Sequence, residues 1–488
     1  VYREPYRPQF HFSPATGWLN DPNGLIFYDG EYHLFYQHIP GNFGDHGAHW
    51  GHAVSADLVH WQQLPIALYP DQLGAIWSGS AVIDRENTSG FQTGDEKVMV
   101  AFFTHRDDAG LQQQSLAYSN DRGRTWTKYP DNPVIPNPGL LDFRDPKVFW
   151  HSASSRWVMV VVAGMRVMIY SSNDLKHWSF ASEFGAGQGS QRGVWECPDL
   201  FELTVDGDPT HRKWILLVSV AHHQVAEEPA MQYFVGEFDG NTFSSSTSPE
   251  TIRWLDHGSD NYAGVTFNNI PPEDGRRIMI GWMNHWWYAR NVPTSPWRGA
   301  MTVPQELMLT SDGTGRLHLL STPVAELRDI RGQHRRTERQ VLTEATSLSL
   351  KDVTQNGAFE VAVEFRVGSA GEFGVILSNE HGEQAVAGYM VETNEVFVDR
   401  RDAGEADFHP IFAAHIQRAP LEPESGVVQL RVLVDWSSVE LFANDGRAVI
   451  TDLIFPQGGF NELGLYAKNG DVTLVRGDVW ELSSIWER

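Results

Sequence analysis

The chain has 488 residues, a hydrophobic fraction of 41% and a formal charge of −25. That length and apolar content allow two or three domains with large cores. The acidic balance disfavours nucleic acid and anionic membrane surfaces as partners, and no run approaches the ~20 apolar residues of a membrane span. Cys197 is the only cysteine, so an intrachain disulfide and a multi-cysteine zinc site are both excluded.

Eighteen Trp, 14 Tyr and 26 Phe stand beside 44 Gly and 26 Pro. Aromatics favour strands, and Gly and Pro favour turns, so many short strands are expected. Near the start stands Trp18-Leu19-Asn20-Asp21-Pro22-Asn23-Gly24, followed far downstream by Phe143-Arg144-Asp145-Pro146 and Trp195-Glu196-Cys197-Pro198-Asp199. Each run places a carboxylate among aromatics and beside a proline. Proline restricts the residue before it, so Asp21 and Asp145 are expected on extended backbone. Glycosidic bond cleavage needs one carboxylate as nucleophile or base and a second as acid; a third can hold sugar hydroxyls.

A weak repeat runs through the first two thirds. Ser55 to Trp61, Tyr118 to Trp126 and Tyr170 to Trp178 each read as a strand, a polar turn with Asp, and a returning Trp; Tyr233 to Phe243 is a degenerate fourth copy. Apolar strand candidates lie between them at Lys97–Thr104, Trp157–Ala163 and Trp214–Val220. A fifth unit around Arg277–Met283 would complete a five-bladed propeller; unrelated hairpins are the alternative. Beyond about Leu320 the pattern changes. Arg328 to Arg339 is charged and reads as a linker or short helix. From about Ser347 strict alternation, as in Phe359–Phe365 and Val428–Val434, with a hairpin turn at Asn444-Asp445-Gly446, predicts a β-sandwich. The expected architecture is all-β: a propeller over 1–320, a linker over 321–346 and a sandwich over 347–488.

Together with Trp50-Gly51-His52-Ala53 and Trp77-Ser78-Gly79-Ser80, the three carboxylate motifs resemble family 32 of the glycoside hydrolases, the fructan-active enzymes. The resemblance covers nearly the whole chain. It implies Asp21 as nucleophile, Glu196 as acid/base and Asp145 as the carboxylate that holds ring hydroxyls. It places Asn20, Gln37, Trp77, Ser78 and Arg144 along the fructosyl pocket, with Trp297 at its rim. An acid/base must hold its proton at rest, so apolar neighbours such as Trp195 are expected to raise the Glu196 pKa. The histidines His46, His49, His52, His222, His223 and His285 show no zinc-ligand spacing and read as rim or structural residues. Neither metal nor cofactor is expected. The implied partners are levan and fructo-oligosaccharides, and an enzyme for such a polymer is expected outside the cell, with its signal peptide removed.

Shorter runs, among them Tyr118-Ser119-Asn120-Asp121 and Thr294-Ser295-Pro296-Trp297-Arg298, resemble the levan-active branch. One segment departs. In Phe43-Gly44-Asp45-His46-Gly47-Ala48, Asp45 stands where such enzymes commonly carry tryptophan. Asp45 and His46 would then open space behind the reacting fructosyl unit. That predicts intramolecular transfer to a difructose dianhydride, as in a levan fructotransferase. The alternatives are an exo-levanase releasing fructose and a non-catalytic levan-binding protein.

Overall fold

A computed structural model describes residues 2–41, 47–222, 230–343 and 355–486. Its first part is a five-bladed β-propeller. The blades start on inner strands Gly17–Tyr28, Ala75–Asp84, Phe143–His151, Gly193–Val205 and Tyr262–Thr266, and each continues outward through antiparallel strands. The ring closes where Gly17 and Trp18 of the first blade pair in parallel with Trp297 and Arg298 of the last.

The repeat in the sequence is the turn between the third and fourth strands of a blade. Asp57 Oδ1 accepts the backbone N–H groups of Val59 and His60, and Asp174 Oδ1 accepts those of Lys176 and His177. Asp121 receives Thr125 N–H in the same way, and Asp239 receives Asn241 and Thr242. An Asp side chain that bonds its own backbone a few residues on stabilises such a turn. The tryptophans return to close it: Trp61, Trp126 and Trp178 donate their indole N–H to the carbonyls of Leu58, Gly123 and Leu175 at 3.1, 3.0 and 2.9 Å. Their rings then pack in the layers between blades.

The second part is a β-sandwich whose two sheets enclose a core that includes Phe359, Val361, Phe373, Tyr389, Leu430 and Leu465. The charged stretch expected as a linker is largely strand. Arg331–Thr337 and Gln340–Leu342 both pair with Val472–Leu482 in one sandwich sheet, and only the 3-10 helix Ala325–Ile330 intervenes after the last propeller strand. Its charges suit a sheet edge, where one side stays wet. The two parts share buried surface: Phe10, Phe12 and Trp18 belong to one apolar cluster with Leu433, Phe442 and Val449. His11, wholly buried there, bonds Asp435 Oδ2 at 2.8 Å and Glu440 Oε2 at 2.6 Å.

Candidate active site

All five inner strands carry the same irregularity near their start. Two residues oppose one on the neighbouring strand: Asn20-Asp21 against Gln37, Trp77-Ser78 against Thr104, Asp145-Pro146 against Val161, Cys197-Pro198 against Val218 and Ala263-Gly264 against Gly281. Such β-bulges bend a strand and re-aim its side chains. Here they turn groups from five blades towards one axis. The expectation of extended backbone fails at Asp145. Its φ is +63°, and Cys197 and Ala263, first in their own bulges, have φ +46° and +55°. Proline disfavours the right-handed helical region for its predecessor; the bulge takes the left-handed one.

Asp21 is only 9% exposed. Its Oδ1 accepts Asn20 Nδ2–H at 3.0 Å and its Oδ2 accepts the Ser78 hydroxyl at 2.6 Å. Asn20 is itself held by the Trp18 indole N–H at 2.7 Å. Asn23 bonds the Asp21 carbonyl and receives Gly79 N–H, tying the first two bulges together. Gln37 donates to the Ile76 carbonyl at 3.1 Å across the same seam. Asp145 Oδ2 accepts the Cys197 amide at 2.9 Å, while its own amide donates to Thr104 Oγ1 at 3.0 Å. The Cys197 thiol lies between the two aspartates, 3.5 Å from Asp21 Oδ2 and 3.7 Å from Asp145 Oδ2.

Glu196 sits one residue before its bulge. Its Oε1 accepts Arg144 at 3.2 Å from Nε and 2.9 Å from Nη2, and its Oε2 accepts the Tyr262 hydroxyl. Arg144 also donates to Asp142 at 2.7 Å, and Trp77 lies within cation–π range of it at 5.9 Å. The expected apolar wall is absent. Trp195 is wholly buried on the opposite side of the strand, where its indole N–H meets the Ser190 carbonyl and its ring packs on Phe234. Alternation along a strand sends neighbours to opposite faces, so the acid/base candidate is bracketed by a guanidinium and a phenol.

The electrostatics follow from burial and crowding. Burial, then the nearby Glu196, pushes the Asp21 carboxyl above its usual range. Burial does the same to Asp145; Arg144 opposes the shift, and Glu196 and Asp21 add to it. Burial works against the charge on Arg144, but Glu196 and Asp145 outweigh it. Burial and the Glu196 charge keep Tyr262 a neutral phenol, and burial with the three carboxylates keeps Cys197 a neutral thiol. Below the site, Lys147 Nζ binds Asp199 Oδ2 at 3.0 Å and the Thr266 carbonyl at 2.7 Å, locking blades three, four and five.

Asn20, Gln37, Trp77, Ser78 and Arg144 thus gather with the three carboxylates. Trp297 does not join the rim. It is 2% exposed, with the Arg7 guanidinium stacked 3.5 Å above its ring; its pairing in the closing seam holds it in the blade packing. Asp45, His46 and His223 lie outside the described residues. His52 is buried against Phe35 and His33, and His285 stacks on Tyr288. The sequence reading missed Tyr262 and assigned no role to Cys197. An Ala-Gly pair in the fifth inner strand is the faint signal for the first, since small residues mark strand irregularities.

Residues 11–323 match the glycosyl hydrolases family 32 N-terminal domain, and residues 325–481 match the family's C-terminal domain. The chain belongs to glycoside hydrolase family 32. A levanase of Bacillus subtilis (strain 168) is 51% identical over 488 residues, covering 99% of this chain and 72% of the relative. An extracellular exo-inulinase of Aspergillus niger is 38% identical over 522 residues, covering 99% and 96%. The crystal structure of an exo-inulinase from Aspergillus awamori superposes with a TM-score of 0.91 at 36% identity and covers all of both chains. This family 32 chain is therefore a glycoside hydrolase with the propeller-plus-sandwich fold, and its family boundary at residue 324 falls just before the short 3-10 helix.

Proposed function

We infer that the chain is a retaining fructan hydrolase that removes fructose from the end of β-2,6-linked levan. The observation that carries this reading is the meeting of Asp21, Asp145 and Glu196 around one axis, the first two in bulges and the third one residue before its own, in a chain half identical to a levanase. Asp21 attacks the anomeric C2 of the terminal fructosyl unit. Glu196 gives a proton to the departing glycosidic oxygen, so the C2–O bond breaks as the ester to Asp21 forms. Glu196 then takes a proton from water, the hydroxide adds to C2, and the ester bond returns its electron pair to Asp21. Free fructose leaves with its configuration retained. Asp145 accepts hydrogen bonds from the ring hydroxyls, and Arg144 and Tyr262 hold the Glu196 carboxyl over the scissile oxygen.

Intramolecular transfer to a dianhydride has lost its support. The relatives named above are hydrolases, and of the Phe43 to Ala48 segment that suggested transfer, residues 43–46 lie outside the described residues. The extracellular relative supports secretion. Chromatography of products from levan and inulin tests the reading. Fructose should dominate from the first minutes, faster from levan than from inulin; difructose dianhydride as main product would overturn it.

A further inference from the structure

The inner strands cross the whole propeller, so each has a second end on the face away from the carboxylates. In the third blade Asp145 and Trp150 are five residues apart on one strand. At about 3.3 Å per residue that places them roughly 17 Å from each other. Trp150 opens onto a cleft of about 730 Å³ formed by the far ends of blades two to five. Ligand pockets fall in this range, ~300–1,000 Å³.

The lining has the chemistry of a sugar site. Trp150 is 42% exposed, although most aromatic side chains of this chain are buried. It is not loose: it meets Trp157 edge-on at 5.1 Å, and Trp157 is pinned by its indole N–H on Thr88 Oγ1 at 2.9 Å. Trp214 adds a second indole from the next blade, fixed against Phe238 at 5.1 Å. Rigid aromatic faces suit the apolar faces of sugar rings. Around them Arg85 and Arg277 face Glu86 and Glu202, while the third acid, Asp84, is taken up by the amides and hydroxyls of Thr88 and Ser89. With two arginines against three acids the lining carries only −1, in a chain of net charge −25, and such mixed charge suits an uncharged ligand whose hydroxyls can both donate and accept.

We propose that this cleft is a second carbohydrate site, which holds a stretch of the same fructan polymer while the carboxylates on the opposite face cut a chain end. It rests on the reading of the substrate as a fructan. The distance along the strand means that the two sites take separate segments, or separate chains, of the polymer. The cleft therefore raises the local supply of chain ends instead of positioning the bond to be broken.

The test compares wild type with Trp150→Ala on a polymer and on a short fructo-oligosaccharide, using whichever of levan or inulin the wild type degrades. The expected result is a KM for the polymer raised about three- to ten-fold, with kcat/KM on the trisaccharide unchanged. Mobility in a gel containing the polymer should be less retarded for Trp150→Ala in an Asp21→Asn background. Equal polymer KM and equal retardation would overturn the second site while leaving the catalytic reading intact. Failure of the wild type to release fructose from either polymer would instead strike the catalytic reading, and retardation alone would then decide the cleft. Should Trp150→Ala lose trisaccharide activity through misfolding, the exposed pair Arg85→Ala and Glu86→Ala carries the same comparison.

Discussion

Two groups of acids in this molecule, each of three carboxyls and one arginine, sit in different surroundings. At the axis stand Asp21, Asp145 and Glu196 with one arginine, Arg144. At the seam between propeller and sandwich stand Asp256, Asp260 and Asp452, also with one arginine, Arg400. Two of the seam acids, Asp256 and Asp260, are saturated with donors, while Asp452 takes Ser259 N–H on Oδ1 at 3.2 Å and keeps a buried Oδ2 without a partner among the described residues. Asp256 receives Thr451 through both its amide and its hydroxyl, and also Gly258 and Asn261. Asp260 takes Arg400 at 2.6 Å, Leu453 N–H at 2.8 Å and the Tyr288 hydroxyl at 2.6 Å. The axial acids are left partly unfilled. The bonds to Asp145 fall on Oδ2, and among the described residues Oδ1 takes none. Equal charge therefore does not make an equal site. What separates them is access: the seam acids are 0–2% exposed and sealed from solvent, whereas Asp21 and Asp145 keep an edge open at 9% and 5%.

Removing one member from each group should pull the two apart. Asp21→Asn should cost the largest factor, at least about 10⁴ in kcat, because it deletes the proposed covalent nucleophile. Its stability should equal or exceed that of wild type, since the folded state holds the Asp21 carboxyl above its usual range and so disfavours its charge. Activity and a urea melt on the same sample check both halves; a marked loss of stability would erase the contrast. Glu196→Gln should lose about 10²–10⁴ on levan, and much less on a fructoside whose leaving group needs no proton. An equal loss on both substrates would place the acid elsewhere.

Arg400→Leu probes the other group. Stranding buried carboxylates beside Asp452, already pushed up by burial, should cost about 3–5 kcal/mol, while turnover per folded molecule stays the same. A melt unchanged from wild type would show that the seam acids do not depend on their cation. The smallest effect concerns His11. Burial alone would lower its pKa, but Glu440 and Asp435 raise it to about 9. A group with a raised folded pKa contributes fully below its unfolded value, near 6.5, and loses that contribution as pH rises through 9. Stability should fall by about 3 kcal/mol between those limits, and His11→Asn should flatten that slope. Melts at half-unit steps from pH 6 to 10 decide it.

The three carboxylates were legible because each stands in a distinctive local run, and the blades because an Asp turn closed by a tryptophan is a local device. The sandwich strands announced themselves by alternation. What escaped depended on direction or on distance. The sequence places Trp195 beside Glu196, but a strand sends them to opposite faces. Tyr262 meets Glu196 from 66 residues away, and no local pattern records that. Arg331 to Thr337 looked like a tether because its residues are charged, yet it pairs with Val472–Leu482 at a wet edge. Trp297 shares a run with fructan enzymes, but the closing seam of the ring uses its bulk for packing.

The five aligned bulges make the axis a ring of interchangeable sockets. Each socket is built by backbone geometry, and it holds or adjoins one polar side chain: Asp21 in the first, Ser78 in the second, Asp145 in the third, Glu196 just before the fourth and Tyr262 just before the fifth. Exchanging an occupant alters the chemistry and leaves the blade standing. Deleting one residue from a socket does the reverse. It restores an ordinary ladder, turns the functional group into the packing between blades, and brings a core residue out to the sugar.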